Sequence, residues 1–436
     1  MNVFSLIGTV ILVVLMLLPL RKKEHRTKTE IRKAIVRFAV VLGGITVIMV
    51  LGMGYFLALL VGVLVLILID KKTYTKKRLL IYGSIILILG IGGYTVFRDN
   101  PTYVMNHLKK NPLTTSLYVT QNGEEVISYQ SDIVRPLAST VKILIATEYA
   151  MQIGEGQLDK ESMVTLDELK RYYFAGTDGG MHEAWLDSIT SEGKIKNNAV
   201  TLQDVTKGMI VYSSNANTDY MIDLLGVDAI NERAMTLGLT WHEEVYPIVG
   251  VSLIPSHIKT DGMNDKQLVQ ALKELPKDTY RSLAEELSAQ LKAGTLDFEG
   301  AGADLSMDVQ QVLSDRFIGA TANDYGKLMA AISNDQLPPA ATEVLRDLLE
   351  WPMEFNEGNK DRFTHLGMKG GNTVFVLTQA LYAETLEGDK TEIVLLTDDL
   401  SDWQMGLLMR NLNSFVSKMI GDEDFRLTVQ QNLTEK

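Results

Sequence analysis

The chain has 436 residues, of which 46% are hydrophobic and 22% charged, and a formal net charge of −12 at pH 7. That length exceeds one ordinary domain, and the composition excludes a disordered or low-complexity chain. There is no cysteine, which excludes disulfides, thiolate zinc sites and cysteine nucleophiles. The charge is unevenly placed: residues 1–98 hold 14 Lys and Arg against 3 Asp and Glu, a net +11, leaving −23 for the remainder. A basic apolar head and an acidic polar body imply two different solvents. The acidic body argues against a nucleic-acid partner, which needs a basic footprint.

Met1 to Leu20 carries no charged side chain, and 20 helical residues cover a bilayer core of about 30 Å. A cleaved signal peptide fits less well, because no basic residue precedes the apolar run and no small-residue cleavage site follows it. Arg21 to Arg37 forms a basic loop, Phe38 to Ile69 is free of charge, Lys71 to Arg78 is basic again, and Leu79 to Phe97 is apolar. Basic loops stay cytoplasmic, so an even number of crossings should separate the two. The 32-residue run would be about 48 Å long as one helix, and Gly52-Met53-Gly54 near its middle is able to turn a hairpin. The expectation is four spans, at about 1–20, 36–52, 54–70 and 79–97. They would anchor the protein in membrane lipid, multi-pass, with the body outside the cell; three spans is the alternative.

From residue 99 the pattern predicts an α+β body. Ser116–Gln121 and Glu124–Tyr129 alternate around Asn122-Gly123, a type I′ hairpin signal. A long helical stretch follows. Val374–Glu384 and Glu392–Thr397 read as strands, and Asp402–Ile420 reads as an amphipathic helix. The two ends of this body are expected to meet in one antiparallel sheet with helices on its faces. Residues 256–316 are polar and acidic, and are expected to form a helical insertion or lid.

Three patterns suggest acyl transfer. Ser139-Thr140-Val141-Lys142 opens an apolar helix, so the serine sits in a positive backbone field and the lysine one turn on shares its face. A desolvated lysine loses basicity and is able to take the serine proton. Ser213-Ser214-Asn215 offers a hydroxyl to relay a proton and an amide to orient lysine and substrate. Lys369-Gly370-Gly371, just before a strand, puts a cation beside the site and lets an edge strand approach closely. Each pattern alone is weak. Ser-x-x-Lys also occurs at Ser191–Lys194 and Ser256–Lys259, and Lys-x-Gly at Lys292–Gly294. Context separates them: Ser191 lies in a polar run, Ser256 follows a proline, and Gly294 reads as a helix C-cap.

This ordered set resembles the serine β-lactamase and penicillin-binding protein superfamily, especially class A β-lactamase-like serine hydrolases. Pro136–Lys142 resembles its nucleophile helix, and Gly154-Glu155-Gly156-Gln157-Leu158-Asp159 the segment after it. Thr201–Ser213 resembles the approach to the second motif, and Thr321–Met329 a later helix. The similarity covers most of 113–420. It implies a β-lactamase-like antiparallel sheet with a helical subdomain, no cofactor or metal, and a small-molecule or peptide substrate. It further implies Ser139 as nucleophile, Lys142 as its base, Ser213 as proton relay, Asn215 as the group that orients Lys142 and holds a substrate amide, and Lys369 as a source of positive potential. Gly370, Gly371 and Asn372 would bind substrate, with the Ser139 and Asn372 N–H groups as oxyanion hole.

Three departures bear on the substrate. Gly370 stands where the family usually has a hydroxyl that grips the substrate carboxylate. No arginine occurs in Val374–Glu384, and Glu-x-x-Leu-Asn, which carries the deacylating glutamate, is absent; Glu243 and Glu244 are near in chain order only. The expected substrates are β-lactams, D-alanyl peptides or esters. A non-hydrolytic cell-wall or β-lactam sensor is the alternative from another class. His242-Glu243-Glu244 lacks the second histidine of a zinc helix, and His182 is expected on a surface loop.

Overall fold

A computed structural model describes residues 99–296 and 305–434. The four expected spans lie outside these residues. Among the described residues, no helix is long and apolar enough to cross a membrane.

Among the described residues there are nine strands: β1 Thr115–Gln121, β2 Glu124–Tyr129, β3 Arg135–Pro136, β4 Met163–Thr165, β5 Ala199–Thr201, β6 Gly319–Ala320, β7 Phe363–Asn372, β8 Leu377–Thr385 and β9 Lys390–Thr397. Five of them form one sheet in the order β2-β1-β9-β8-β7, antiparallel throughout. The β1–β2 turn has positive φ at Asn122 and Gly123, as a type I′ turn requires. Early and late segments of the body therefore do meet, at the β1–β9 ladder. The Lys369 motif is not ahead of a strand. It lies within β7, whose His365-Leu366-Gly367-Met368 stretch has few β-branched residues to announce it.

Alternate residues of the central strands enter two separate cores. Leu117, Ile393 and Leu381 pack with Val104 and Leu108 of α1 (Pro101–Lys110) and Phe415 of the helix Asp402–Gly421. Tyr118, Val394 and Ala380 face the helical side. There, α2 (Lys142–Gly154) is apolar over most of its surface and buried from Lys142 to Gln152, as a central core helix must be. Around it stand α3 (Met181–Ser191), α4 (Leu202–Val211), α5 (Asn215–Leu225), α6 (Ile248–Ile258), α7 (Asp265–Glu274), α8 (Lys277–Ala293) and α9 (Met307–Asp315). Leu268, Leu272, Tyr280, Ala284 and Val312 of α7, α8 and α9 belong to the same core as α2. Ser256 lies inside α6, not at the start of a polar segment. Beyond Gly421, a last helix occupies Glu423–Thr434.

Candidate active site

Ser139 lies in a 3₁₀ turn, Ala138–Val141, that runs directly into α2. Ala138 has φ +46, a left-handed conformation that an L residue holds only when its surroundings enforce it. The approach strand β3 pairs with β6, and the Leu137 N–H donates to Ile318 O at 2.9 Å. The Thr378 hydroxyl of β8 donates to Leu137 O at 2.8 Å and meets Thr140 Oγ1 at 2.7 Å. These bonds pin the serine's backbone against the sheet. Lys142, one helical turn on, is 0% exposed.

Lys142 Nζ lies 3.0 Å from Ser139 Oγ, 2.6 Å from Ser213 O and 2.9 Å from Asn215 Oδ1. Ser213 itself holds φ +61 between α4 and α5, which turns its carbonyl and hydroxyl to different lysines. Lys369 Nζ bonds Ser213 Oγ and donates to Gly370 O at 2.8 Å. The five residues Ser139, Lys142, Ser213, Asn215 and Lys369 are thus one hydrogen-bonded cluster, drawn from α2, the α4–α5 junction and the edge strand β7.

Burial decides the electrostatics. It pushes the Lys142 ammonium well below the ordinary lysine range; the Lys369 charge pushes the same way, and Asp178 and Asp219 oppose both. Burial alone lowers Lys369 to about 7. A neutral Lys142 has two N–H groups and one lone pair. Ser213 O and Asn215 Oδ1 only accept, so they take the two N–H groups, and the lone pair is left facing the Ser139 hydroxyl. That geometry lets Lys142 receive the serine proton.

Gly371 brings β7 against the Ser139 turn. A Cβ there would lie 2.5 Å from the Ser139 nitrogen and 2.8 Å from that of Thr140. A Cβ on Gly370 would meet only Thr378 O, at 3.5 Å. Asn372 ends β7 and is exposed.

Other groups hold the cluster in place. Asn215 Nδ2 donates to Thr177 O at 2.9 Å, so this amide bridges Lys142 and the 174–180 loop. Asp178 accepts from the backbone N–H of Gly180, Met181 and His182. His182 is not on a surface loop: it is 3% exposed in the first turn of α3, with Nδ1 2.9 Å from Ser214 Oγ, between two residues of the cluster. Asp219, one turn after Asn215 on α5, accepts from the N–H of Ile248 at 2.7 Å and Val249 at 2.9 Å. Burial pushes its carboxyl up to about 7 against the pull of those donors.

The competing motifs lie elsewhere. Lys194 pairs with Glu192 and Asp204, Lys259 with Asp265, and Lys292 with Asp223 ahead of the left-handed Gly294 cap. Glu243 is bonded to Lys277 and to the Gly319 N–H, and Glu244 to Arg281, so neither carboxylate joins the cluster. Among the described residues, no group of three or more His, Cys, Asp or Glu is placed to hold a metal ion.

An antiparallel sheet against a helical core, with a buried lysine beside a helix-opening serine, defines a serine hydrolase. Residues 102–356 match the beta-lactamase enzyme family, and the chain belongs to it. No curated protein matches the chain. Among solved structures, the chain is similar to a beta-lactamase from Sphaerobacter thermophilus at 15% identity and TM-score 0.46, over 73% of this chain and 95% of that one. It is also similar to a class A beta-lactamase from Bacteroides cellulosilyticus at 13% identity and TM-score 0.45, over 78% and 100%. A mutant of PBP-A, solved as its acyl-enzyme complex with penicillin G, is similar at 15% identity and TM-score 0.42, over 73% and 95%.

Proposed function

We propose that this hydrolase works through an acyl-enzyme on Ser139, with β-lactams or related amides and esters as substrates. The observation that carries the reading is the buried Lys142, whose Nζ lies 3.0 Å from Ser139 Oγ. Lys142 takes the serine proton as Oγ attacks the acyl carbon. The oxyanion develops against the Ser139 and Asn372 N–H groups, which Gly371 allows to approach one another. Ser213 passes a proton to the leaving nitrogen or oxygen, supplied from the Lys369 side. Asn215 keeps Lys142 in line.

Deacylation is the weak step in this reading. A positioned base that activates water is worth roughly 10² to 10⁴ in rate, and Glu243 and Glu244 are committed to Lys277 and Arg281. Gly370 offers no hydroxyl to a substrate carboxylate. The missing hydroxyl favours neutral esters and the missing base disfavours β-lactam turnover; an esterase or D-alanyl carboxypeptidase activity is the second reading. The test is kcat/KM of the full chain for a chromogenic cephalosporin and a nitrophenyl ester. We expect slow cephalosporin turnover and ester turnover at least comparable. A cephalosporin value near 10⁶ M⁻¹s⁻¹, well inside the range of evolved enzymes, would show that a deacylating base exists after all.

We also propose that residues 1–98 anchor the enzyme in the cell membrane with the hydrolase body outside. The support is the alternation of uncharged runs with basic loops. A cysteine introduced at Met53 or Pro101 should react with an impermeant thiol reagent on intact cells and one at Thr27 should not; labelling at Thr27 would contradict the four-span arrangement.

A further inference from the structure

A second cavity, of about 390 Å³, is walled by Val134, Arg135 and Pro136, the segment that leads into Ser139. None of the five clustered residues lines it. The opposite walls come from the helices between α5 and β6, chiefly Tyr280 and Arg281 of α8 with Leu275 and Phe317. Its size falls in the range of small-molecule sites, which are mostly apolar with a few convergent polar groups.

Two buried donors here lack acceptors. Tyr280 is 1% exposed, and its hydroxyl has no hydrogen-bond partner. Arg281 Nε is buried and unpartnered, although the outer end of the same guanidinium pairs with Glu244. Arg316 stacks on the Tyr280 ring at 4.4 Å and donates to the backbone carbonyls of Leu272, Lys273 and Leu275. Among the described residues no carboxylate pairs with Arg316, so its charge is uncompensated. Two acids stand on the wall: Glu243, neutralised by Lys277 and the Gly319 N–H, and Asp315, whose carboxyl is pushed up from its ordinary value by burial. Buried polar groups are ordinarily satisfied, so unpaired donors beside an uncompensated cation and an apolar wall match one ligand chemistry.

We propose that this cavity binds a small organic carboxylate. The apolar body lies against Val134, Leu275 and Phe317. The carboxylate accepts from the Tyr280 hydroxyl and Arg281 Nε, in the field of Arg316. A ligand there would touch the β3–β6 ladder, three residues before Ser139.

The experiment is a ligand-observed NMR titration of the full chain with phenylacetate, indole-3-acetate and hexanoate, with benzylamine as the cationic control. The enzyme is used free and after Ser139 is blocked with a fluorophosphonate, which separates this cavity from the catalytic cleft. We expect saturable binding of at least one carboxylate, unaffected by the block and not matched by benzylamine. Tyr280→Phe and Arg281→Met should each weaken it about tenfold or more, and Val134→Trp should fill the space. Arg281 reaches solvent at its outer end, so Arg281→Met tests the site even if Tyr280→Phe disturbs folding. Absence of binding by all three acids, loss of binding on blocking Ser139, equal binding of benzylamine, or indifference to Arg281→Met would each overturn the proposal.

Discussion

The Cβ that Gly371 lacks would stand 2.5 Å from the backbone nitrogen of Ser139. Strand β7 and the Ser139 turn are therefore packed main chain against main chain at Gly371, one residue before Asn372, where β7 ends.

Gly371→Ala should separate the two donors of the oxyanion hole. Overpacking of this kind costs about 1–3 kcal/mol of stability, while loss of a hole donor costs roughly 10²–10³ in kcat. Activity should thus collapse in a protein that still folds. Gly370→Thr meets only ordinary contact at its Cβ. It should leave ester turnover nearly unchanged and raise cephalosporin turnover by up to one or two decades, the worth of one charge-assisted hydrogen bond. Steady-state kinetics on both variants separates these outcomes.

Lys369 should split the pH profiles of charged and neutral substrates. Its folded pKa of about 7 means that the cation is present below that pH and lost above it. Turnover of an anionic cephalosporin should therefore fall as pH rises through about 7, while turnover of a neutral nitrophenyl ester, whose leaving group departs without a proton, should not fall there. Stability moves the other way. Between about 7 and the ordinary lysine value the unfolded chain binds more protons than the folded one, so stability rises with pH. Lys369→Met should flatten that rise; an unaltered slope would mean that Lys369 is not the group responsible.

The hairpin and the last two sheet strands were legible because Asn122-Gly123 and short continuous apolar runs such as Ile393–Leu396 are local signals. β7 was not, because glycines replace the side chains that mark a strand. The site was legible as spaced motifs, but not its supports. His182 reaches Ser214 and Asp219 reaches Ile248 only through chain folding, and a lone histidine or aspartate carries no spacing to read. Residues 256–316 read as a polar insertion because most of their surface is polar. The few apolar positions that join the α2 core, such as Leu272 and Ala284, are spread over separate helices.

Asp219 ties α6 to α5, the helix that Asn215 opens. Asp219→Ala would leave two buried N–H groups, those of Ile248 and Val249, without an acceptor. At about 1–3 kcal/mol for each unsatisfied group, the variant should lose roughly 2–6 kcal/mol by denaturant unfolding. A loss below about 1 kcal/mol would mean that water or a neighbour takes over these donors.

The central claim is that Ser139, activated by Lys142, carries the acyl group. Intact-mass analysis of the full chain after incubation with a fluorophosphonate and with a labelled β-lactam tests it, with Ser139→Ala, Ser191→Ala and Ser256→Ala alongside. The account predicts one adduct, mapped to Ser139, retained in the Ser191 and Ser256 variants and absent from Ser139→Ala. An adduct that survives Ser139→Ala, or that disappears with Ser191→Ala or Ser256→Ala, would contradict it.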